Sequence, residues 1–375
     1  MRVQTSNAIL PLKLLLADGE IFEGHSIGHS QFSPTVGEVV FNTGMVGYTE
    51  AMTDPSYAGQ ILCFTYPLIG NYGVPDYIED EYGIIRNFES EKIRVTGIIA
   101  EEVSEEPSHF ESKKSLAQWL DQEGVPGIQG LDTRELTIHL RSKGVMMGAI
   151  AETTERARNL LEKAPDYSTL NFYDAVSTKV AKRFGRNVRG RVALVDCGLK
   201  LNIVRSLVQR GFEVVCLPYT TTFEEVMSEK VQGIVLSNGP GDPKLCKPAI
   251  DLSALAVENS VPLLGICLGT QILALSQGAE TFKLKYGHRG QNKPCIDLKR
   301  NRCMVTSQNH GYSVLPDSLK GTKLEPWFIN ADDRTLEGLI HTSKPCLAVQ
   351  FHPEGSPGPL DPSYVFDIFA EKMRS

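Results

Sequence analysis

The chain has no apolar run long enough to span a bilayer, and Met1 to Leu10 holds no long apolar core, so neither a membrane span nor a secretory leader is expected. Cysteine is sparse and unpaired. The eight cysteines, at Cys63, Cys197, Cys216, Cys246, Cys267, Cys295, Cys303 and Cys346, show no C-x-x-C spacing, so neither a zinc site nor a disulfide framework is indicated, and no metal is expected on this chain. A reducing cytoplasm is the simplest setting for such thiols. Positive charge is in deficit, with 38 Lys and Arg against 45 Asp and Glu and a net charge of -7, which argues against a nucleic-acid binder. There is no G-x-x-x-x-G-K-[ST] loop, so the chain has no standard cradle for a nucleoside triphosphate. Internal repeats and low-complexity segments are also missing.

What is present fits two cores. At 375 residues with 41% hydrophobic side chains, the chain is too long for one typical core and can fill two. Residues 1–150 read as a mixed, loop-rich α/β domain. Leu12 to Leu16, the pair Asp18-Gly19, and Ile21-Phe22 predict a hairpin with a tight turn. Strands are expected around Val39 to Phe41 and Ile93 to Ile99, and helices at Ser115 to Leu120 and Thr133 to Ser142, with Asp132 and Glu135 in a capping-box arrangement and Gly144 as the stop. Residues 151–190 read as a linker with a charged helix and a basic run of Lys179, Lys182, Arg183, Arg186 and Arg189, either solvated or a docking patch. From Arg191 to Ser375 the rhythm is strand, helix, strand. Short apolar runs at Val192 to Val195, Val214 to Leu217, Ile234 to Leu236 and Leu263 to Ile266 predict a doubly wound, mostly parallel sheet, closed by a helix from Tyr364 to Met373.

Chemistry concentrates where the fourth of these runs ends. Gly265-Ile266-Cys267-Leu268-Gly269 is a Gly-x-Cys-x-Gly turn, a nucleophile elbow with cysteine in the serine position. A lone cysteine after an apolar strand is ordinarily an inert buried thiol. Here, however, a base and its orienter also stand at a strand end. Cys346 to Phe351 reads as a strand, and His352-Pro353-Glu354 follows it, at the edge where doubly wound sheets place their chemistry. Ser237-Asn238-Gly239-Pro240-Gly241-Asp242-Pro243 follows another apolar run and must bend with N–H groups exposed. It is either a structural turn or a source of oxyanion donors, with the Leu268 amide as a second.

These segments, with Gln308-Asn309-His310-Gly311-Tyr312 and His352-Pro353-Glu354-Gly355-Ser356-Pro357-Gly358-Pro359, resemble the class I (triad) glutamine amidotransferases. Upstream, Phe41 to Glu50, Thr53 to Tyr57, Tyr66 to Gly73 and Leu131 to Thr137 are similar to the amino-terminal domain of one branch, the small glutamine-hydrolysing subunits of carbamoyl phosphate synthetase. The likeness spans Leu12 to Phe369. It implies that Cys267 attacks the carboxamide of L-glutamine, that His352 moves the proton to departing ammonia, and that Glu354 holds the imidazole. It implies further that Leu268, Gln271, Gly239 and Gly241 bind the amide and oxyanion, and that Asn309, Gly311 and Tyr312 hold the amino-acid end. Gly44 stands where some relatives carry a serine that touches glutamine, and Tyr312 where some carry phenylalanine.

The resemblance also implies a partner. No cofactor is expected on this chain; ATP and magnesium are expected on a separate large synthetase subunit that receives ammonia, with the first domain as the docking surface. Neither nucleic acid nor membrane is an expected partner. Three other readings share the same residues: a cysteine hydrolase of peptidase type, a non-catalytic scaffold, and an amidotransferase serving a different synthetase.

Overall fold

The computed structural model describes residues 10–28 and 32–374; the stretch read above from Met1 lies outside them up to Ile9. The chain forms two compact units. The first comprises residues up to Thr53, Tyr57–Tyr77 and Lys92–Tyr167, and the second comprises Asp54–Ser56, Ile78–Glu91 and everything from Ser168. The second unit thus recruits two segments from the amino-terminal half, which a linear reading into 1–150 and 191–375 does not express.

The first unit is built on a closed seven-stranded barrel. Around it run Pro11–Leu16, Ile21–Ser26, Gly127–Gln129, Gly97–Ala100, Gln60–Phe64, Thr35–Asn42 and Met146–Ala151. The hairpin predicted at Asp18-Gly19 forms, with Leu15 opposite Ile21 and Gly19 at a φ of 96°. The strand expected from Ile93 begins only at Gly97. Before it, the N–H groups of Arg94 and Thr96 are taken by the carbonyls of Met52 and Gln60, so no ladder is left for them. Helix Leu116–Glu123 starts at a full capping box on Ser115, and helix Thr133–Lys143 starts where the Asp132 carboxylate accepts from the Glu135 N–H at 2.7 Å.

The stretch 151–190 is folded rather than a free tether. Thr154–Lys163 is a helix that lays Ala157, Leu160 and Leu161 on Leu15, Ala149 and Ala151 of the barrel. Further on, Lys182–Phe184 pairs antiparallel with the strand Phe212–Pro218 of the second unit. Within the basic run, Lys182 pairs with Glu91 at 2.7 Å and Arg183 with Glu229 at 2.5 Å, both on the surface.

The second unit is a ten-stranded sheet. Its parallel centre has the spatial order Phe212–Pro218, Gly190–Asp196, Gly233–Leu236, Leu263–Ile266, Cys346–Val349. The remaining strands join antiparallel, including the long pair Thr281–Asp297 and Arg302–Val314. Alternation along the centre divides the apolar side chains between two faces. Ala193, Val195, Leu263 and Ala348 pack with helices Lys247–Glu258 and Leu268–Ser276, whereas Val192, Leu194, Leu264 and Leu347 pack with helices Leu201–Gln209 and Val365–Lys372. Each fully buried Val, Leu or Ile contributes roughly 1.5–3 kcal/mol. Burial on both faces is what makes these strands read as unbroken apolar runs.

Inside the barrel Gly148 has no room for a side chain, because a Cβ would collide with Val39 Cγ2 and lie 3.2 Å from Leu16 Cδ2. Val39 is β-branched and sits in a strand, so it cannot swing aside cheaply. Gly148→Ala is expected to cost about 1–3 kcal/mol. Urea unfolding of a Trp327→Phe background, in which Trp119 reports the first unit alone, measures it; an unchanged midpoint would contradict this account.

Candidate active site

The strand Leu263–Ile266 ends at Cys267, whose φ of 53° and ψ of -103° lie outside the regions a β-carbon favours, and helix Leu268–Ser276 begins at once. A residue held this way costs on the order of 1–3 kcal/mol and persists only when its surroundings over-determine it. The two glycines explain how. A Cβ on Gly265 would sit 2.5 Å from the Gly269 carbonyl oxygen, and one on Gly269 would run into the Leu236 carbonyl. Two bonds then fix the turn: Cys267 N–H donates to Val349 O at 2.8 Å and Gly269 N–H to Ser237 O at 3.1 Å.

The first bond also ties the elbow to the strand that leads to His352. Cys346–Val349 lies beside Leu263–Ile266, with Ile266 opposite Val349, so both strands release their next residues at the same edge. His352 follows, anchored by its N–H to Ser307 O at 2.8 Å. Its Nδ1 meets Glu354 Oε1 at 2.6 Å. Among the described residues its Nε2 is buried and has no hydrogen-bond partner. The imidazole is therefore oriented from behind with its second nitrogen left unsatisfied, as a general base requires.

Glu354 is held in turn by a buried cation. Lys200, only 3% exposed, places Nζ 3.0 Å from Glu354 Oε1 and 2.7 Å from Gly355 O. Burial opposes ionisation of Glu354, but the Lys200 ammonium and the His352 imidazole overcome it and hold the carboxyl at about 2. The same pairing pushes the Lys200 ammonium above its ordinary range against the burial that opposes it. Cys267 goes the other way: burial first, then the charges of Asp54 and Glu354, push its thiol well up, opposed by the Leu268 N–H and Lys200. The resting thiol is protonated and points toward the Asn309 carbonyl, with Sγ to O at 3.6 Å. A thiolate here forms only by handing the proton to a nearby base.

The glycine-rich loop and the strand Arg302–Val314 are fastened around this centre. A Cβ on Gly239 would strike the Cys197 carbonyl and lie 2.8 Å from Leu268 Cδ2, which seats the loop against the first residue of the elbow helix. Gly241 adopts a φ of 79°. Asn309 Nδ2 donates to Asp54 Oδ2 at 2.8 Å, and Asn238 Nδ2 donates to Ser56 Oγ at 2.9 Å. Gln271 is buried and donates to Tyr312 O at 2.9 Å and to Gln350 Oε1 at 3.1 Å. The Tyr312 contact is thus made through backbone. Beside Gly311 a Cβ would lie 3.3 Å from Arg289 Nη2, a tight contact that the end of the arginine side chain would have to relieve. Cys267, Leu268, Gln271, Gly239, Gly241, Asn309, Gly311, Tyr312, His352 and Glu354 all belong to the second unit. Gly44 belongs to the first, where its N–H donates to Asn42 Oδ1 at 2.6 Å.

Four residues of this network were given no role from sequence: Lys200, Glu89, Asp54 and Asn238. Asp54 and Asn238 lay inside quoted motifs, and Asn238 Oδ1 also accepts from the Lys200 N–H at 3.0 Å. Lys200 and Glu89 lie in segments without glycine punctuation at the residue itself, and only the folded chain shows them buried. A further cluster stands behind the Asn309–Tyr312 strand, where ligand atoms of His288, His310 and Glu337 all come within 4.8 Å. Burial opposes charge on His288, but Asp333 at 2.8 Å and Glu337 at 3.2 Å lift it to about 9. In the same cluster His310 Nδ1 faces Tyr312 O at 2.8 Å.

Comparison with known proteins agrees in extent with this architecture. Residues 14–150 match the family model described as carbamoyl-phosphate synthase small chain, CPSase domain, and residues 193–372 match glutamine amidotransferase class-I. The chain is 45% identical to the carbamoyl phosphate synthase small chain of Pyrococcus furiosus over 96% of both chains. It is 44% identical to the arginine-specific small chain of Chaetomium globosum, over 96% of this chain and 78% of that one. A 46% identity to the multifunctional protein CAD of Squalus acanthias covers 96% of this chain and 16% of that protein.

The Lys200–Glu354 pair gives a test with a defined sign. The folded pKa of Glu354, about 2, lies below the ordinary value of about 4.3, so its stabilisation is present above roughly pH 4.3 and is lost as pH falls toward 2. Lys200→Met should abolish turnover and destabilise the chain by about 3–5 kcal/mol at pH 7, because it strands a buried charge. Urea titrations should show the gap from wild type narrowing by about pH 3; a gap independent of pH would contradict the assignment.

Proposed function

The chain belongs to the carbamoyl phosphate synthase small-chain family, and from that premise we propose that its second unit hydrolyses L-glutamine through a thioester on Cys267. The observation that carries the reading is the buried His352 imidazole, held at Nδ1 by Glu354 at 2.6 Å and unpartnered at Nε2, on a residue that follows a strand paired with the one that ends in the strained cysteine elbow. In the reaction the thiol proton passes to His352 as sulfur attacks the carboxamide carbon. The carbonyl oxygen gains charge, and the Leu268 N–H with the backbone of Gly239 and Gly241 stabilises it. His352 then returns the proton to the nitrogen and ammonia departs, leaving a γ-glutamyl thioester. Water, deprotonated by the same imidazole, cleaves the thioester to glutamate and restores the thiol.

Asn309, Gly311 and Tyr312 line the strand that holds the α-amino and carboxylate ends of the substrate, and Gln271 fixes that strand from behind through Tyr312 O. Ammonia is mostly protonated in neutral water and loses its nucleophilicity, so release to solvent is wasteful. It passes instead to a large synthetase chain that binds ATP and magnesium and forms carbamoyl phosphate from bicarbonate, with the first unit as the docking surface. The relatives are named both as arginine-specific chains and as CAD, and the product here serves arginine, pyrimidine or both routes. The complex works in the cytoplasm, a setting supported by the free thiols. Among the described residues no helix is long and apolar enough to cross a membrane.

A diazo-ketone analogue of glutamine should label Cys267 stoichiometrically, as read by mass spectrometry of the tryptic peptide. Cys267→Ser should lose glutamine hydrolysis by at least about 1,000-fold while the reconstituted synthetase still uses added ammonium. Hydrolysis retained in Cys267→Ser, or peptide cleavage without glutamine hydrolysis by the wild type, would sink the proposal.

A further inference from the structure

Resting on the glutamine-hydrolysis reading, we infer that Glu89 is a positioning residue for the triad, clamping the loop that carries Glu354 and supplying a second buried anion that favours proton transfer to His352. Glu89 lies on the segment Ile78–Glu91, which folds into the second unit although it is remote in sequence from every motif there. Its side chain is fully buried.

Its bonds run in two directions. Toward helix Leu201–Gln209, Glu89 Oε2 accepts from Asn202 N–H at 3.1 Å and Glu89 O accepts from Leu201 N–H at 3.0 Å. Lys200 stands at the cap position of that helix, but its ammonium has only donors and cannot cap an N-terminus; its Nζ donates to Glu354 and Gly355 instead. Glu89 supplies the missing acceptors from outside, where the helix dipole favours a carboxylate. Toward the triad, Ser356 Oγ donates to Glu89 Oε1. Three consecutive residues after the base are therefore held by three neighbours: Glu354 O by Asn202 Nδ2, Gly355 O by Lys200 Nζ at 2.7 Å, and the Ser356 hydroxyl by Glu89. Ser356 needs the restraint, for its φ is 57°.

Charge completes the argument. Glu89 and Glu354 share one ammonium, that of Lys200, in a space with almost no water. Of the other charged groups on the elements packed there, Asp54 acts on Lys200, Arg205 is spent on Asp80 at 2.9 Å, and Glu91 pairs with Lys182 at the surface. Burial raises Glu89 to about 7, with Lys200, Ser356 and the Asn202 N–H opposing and Glu354 adding to the rise. With Asp54, Glu89 and Glu354 around one ammonium, the cluster is negative in excess when the carboxylates are ionised. An imidazolium on His352 offsets part of that excess, so ionised Glu89 supports the proton that catalysis must place there.

The test compares wild type, Glu89→Gln and Ser356→Ala as full chains. Labelling by the diazo-ketone analogue counts folded sites, and initial rates of glutamine hydrolysis from pH 5.5 to 9.5 give kcat and KM. Glu89→Gln should label fully, lose about tenfold in kcat with KM changed by less than about twofold, and move the acid limb of kcat/KM down by about half a unit or more. Ser356→Ala keeps the Glu89 carboxyl and removes only the hydrogen bond that ties it to the loop, so it should lower kcat several-fold. Full labelling with wild-type kcat and an unshifted limb in Glu89→Gln would overturn the inference. If Glu89→Gln does not fold, Ser356→Ala decides, and wild-type kinetics there would overturn it. A wild type that neither labels nor hydrolyses glutamine would instead fail the underlying reading.

Discussion

One ion pair, Lys200 with Glu354, constrains most of what surrounds it. Taking two charges out of water costs several kcal/mol per ion, and attraction at 3.0 Å offsets this only when the remaining donors and acceptors are also satisfied. Lys200 gives a second bond to Gly355 O, and Glu354 gives its Oε1 to both Lys200 and His352, whereas its Oε2 is buried with no hydrogen-bond partner among the described residues. The consequence is an imidazole fixed in one orientation with a carboxylate that stays ionised. Such a pair is poor as a source of stability and well suited to specifying one geometry.

The elbow is the complementary constraint, made of backbone rather than charge. Gly265 and Gly269 let the strand, the turn and the helix pass closer than any β-carbon allows, and Cys267 is left in a conformation it would not choose. The parallel centre of the sheet does the rest. Because Leu263–Ile266 and Cys346–Val349 are neighbours in register, a thiol and an imidazole 85 positions apart leave the sheet at one edge. Neither element carries chemistry alone, and their adjacency is a property of topology.

Much of this was legible beforehand, for identifiable reasons. Glycine and proline punctuate turns with little regard to tertiary context, so the elbow, the Ser237–Pro243 loop, the hairpin at Asp18-Gly19 and the stop at Gly144 could be read directly. Strands buried on both faces advertise themselves as apolar runs, which is why the parallel centre was visible. The barrel was not, because its strands are short, several are only three to six residues, and closure depends on pairings between distant segments such as Pro11–Leu16 with Met146–Ala151. The antiparallel half of the large sheet was hidden likewise, since Thr281–Asp297 alternates polar and apolar residues through bulges.

From residue types alone Cys267, His352, Glu354 and the glycine-rich loop stood out as candidates, since each is written as a local pattern. The sequence also determined two cores and the parallel rhythm of the second. Only the tertiary structure decided that Lys200 is a buried counter-ion rather than a surface lysine, that Asp54 and Glu89 belong to the second unit, and that 151–190 is folded. The physical reason is the same in each case: a charge declares its role through its desolvation and its partner, and both are set by residues far away in the chain.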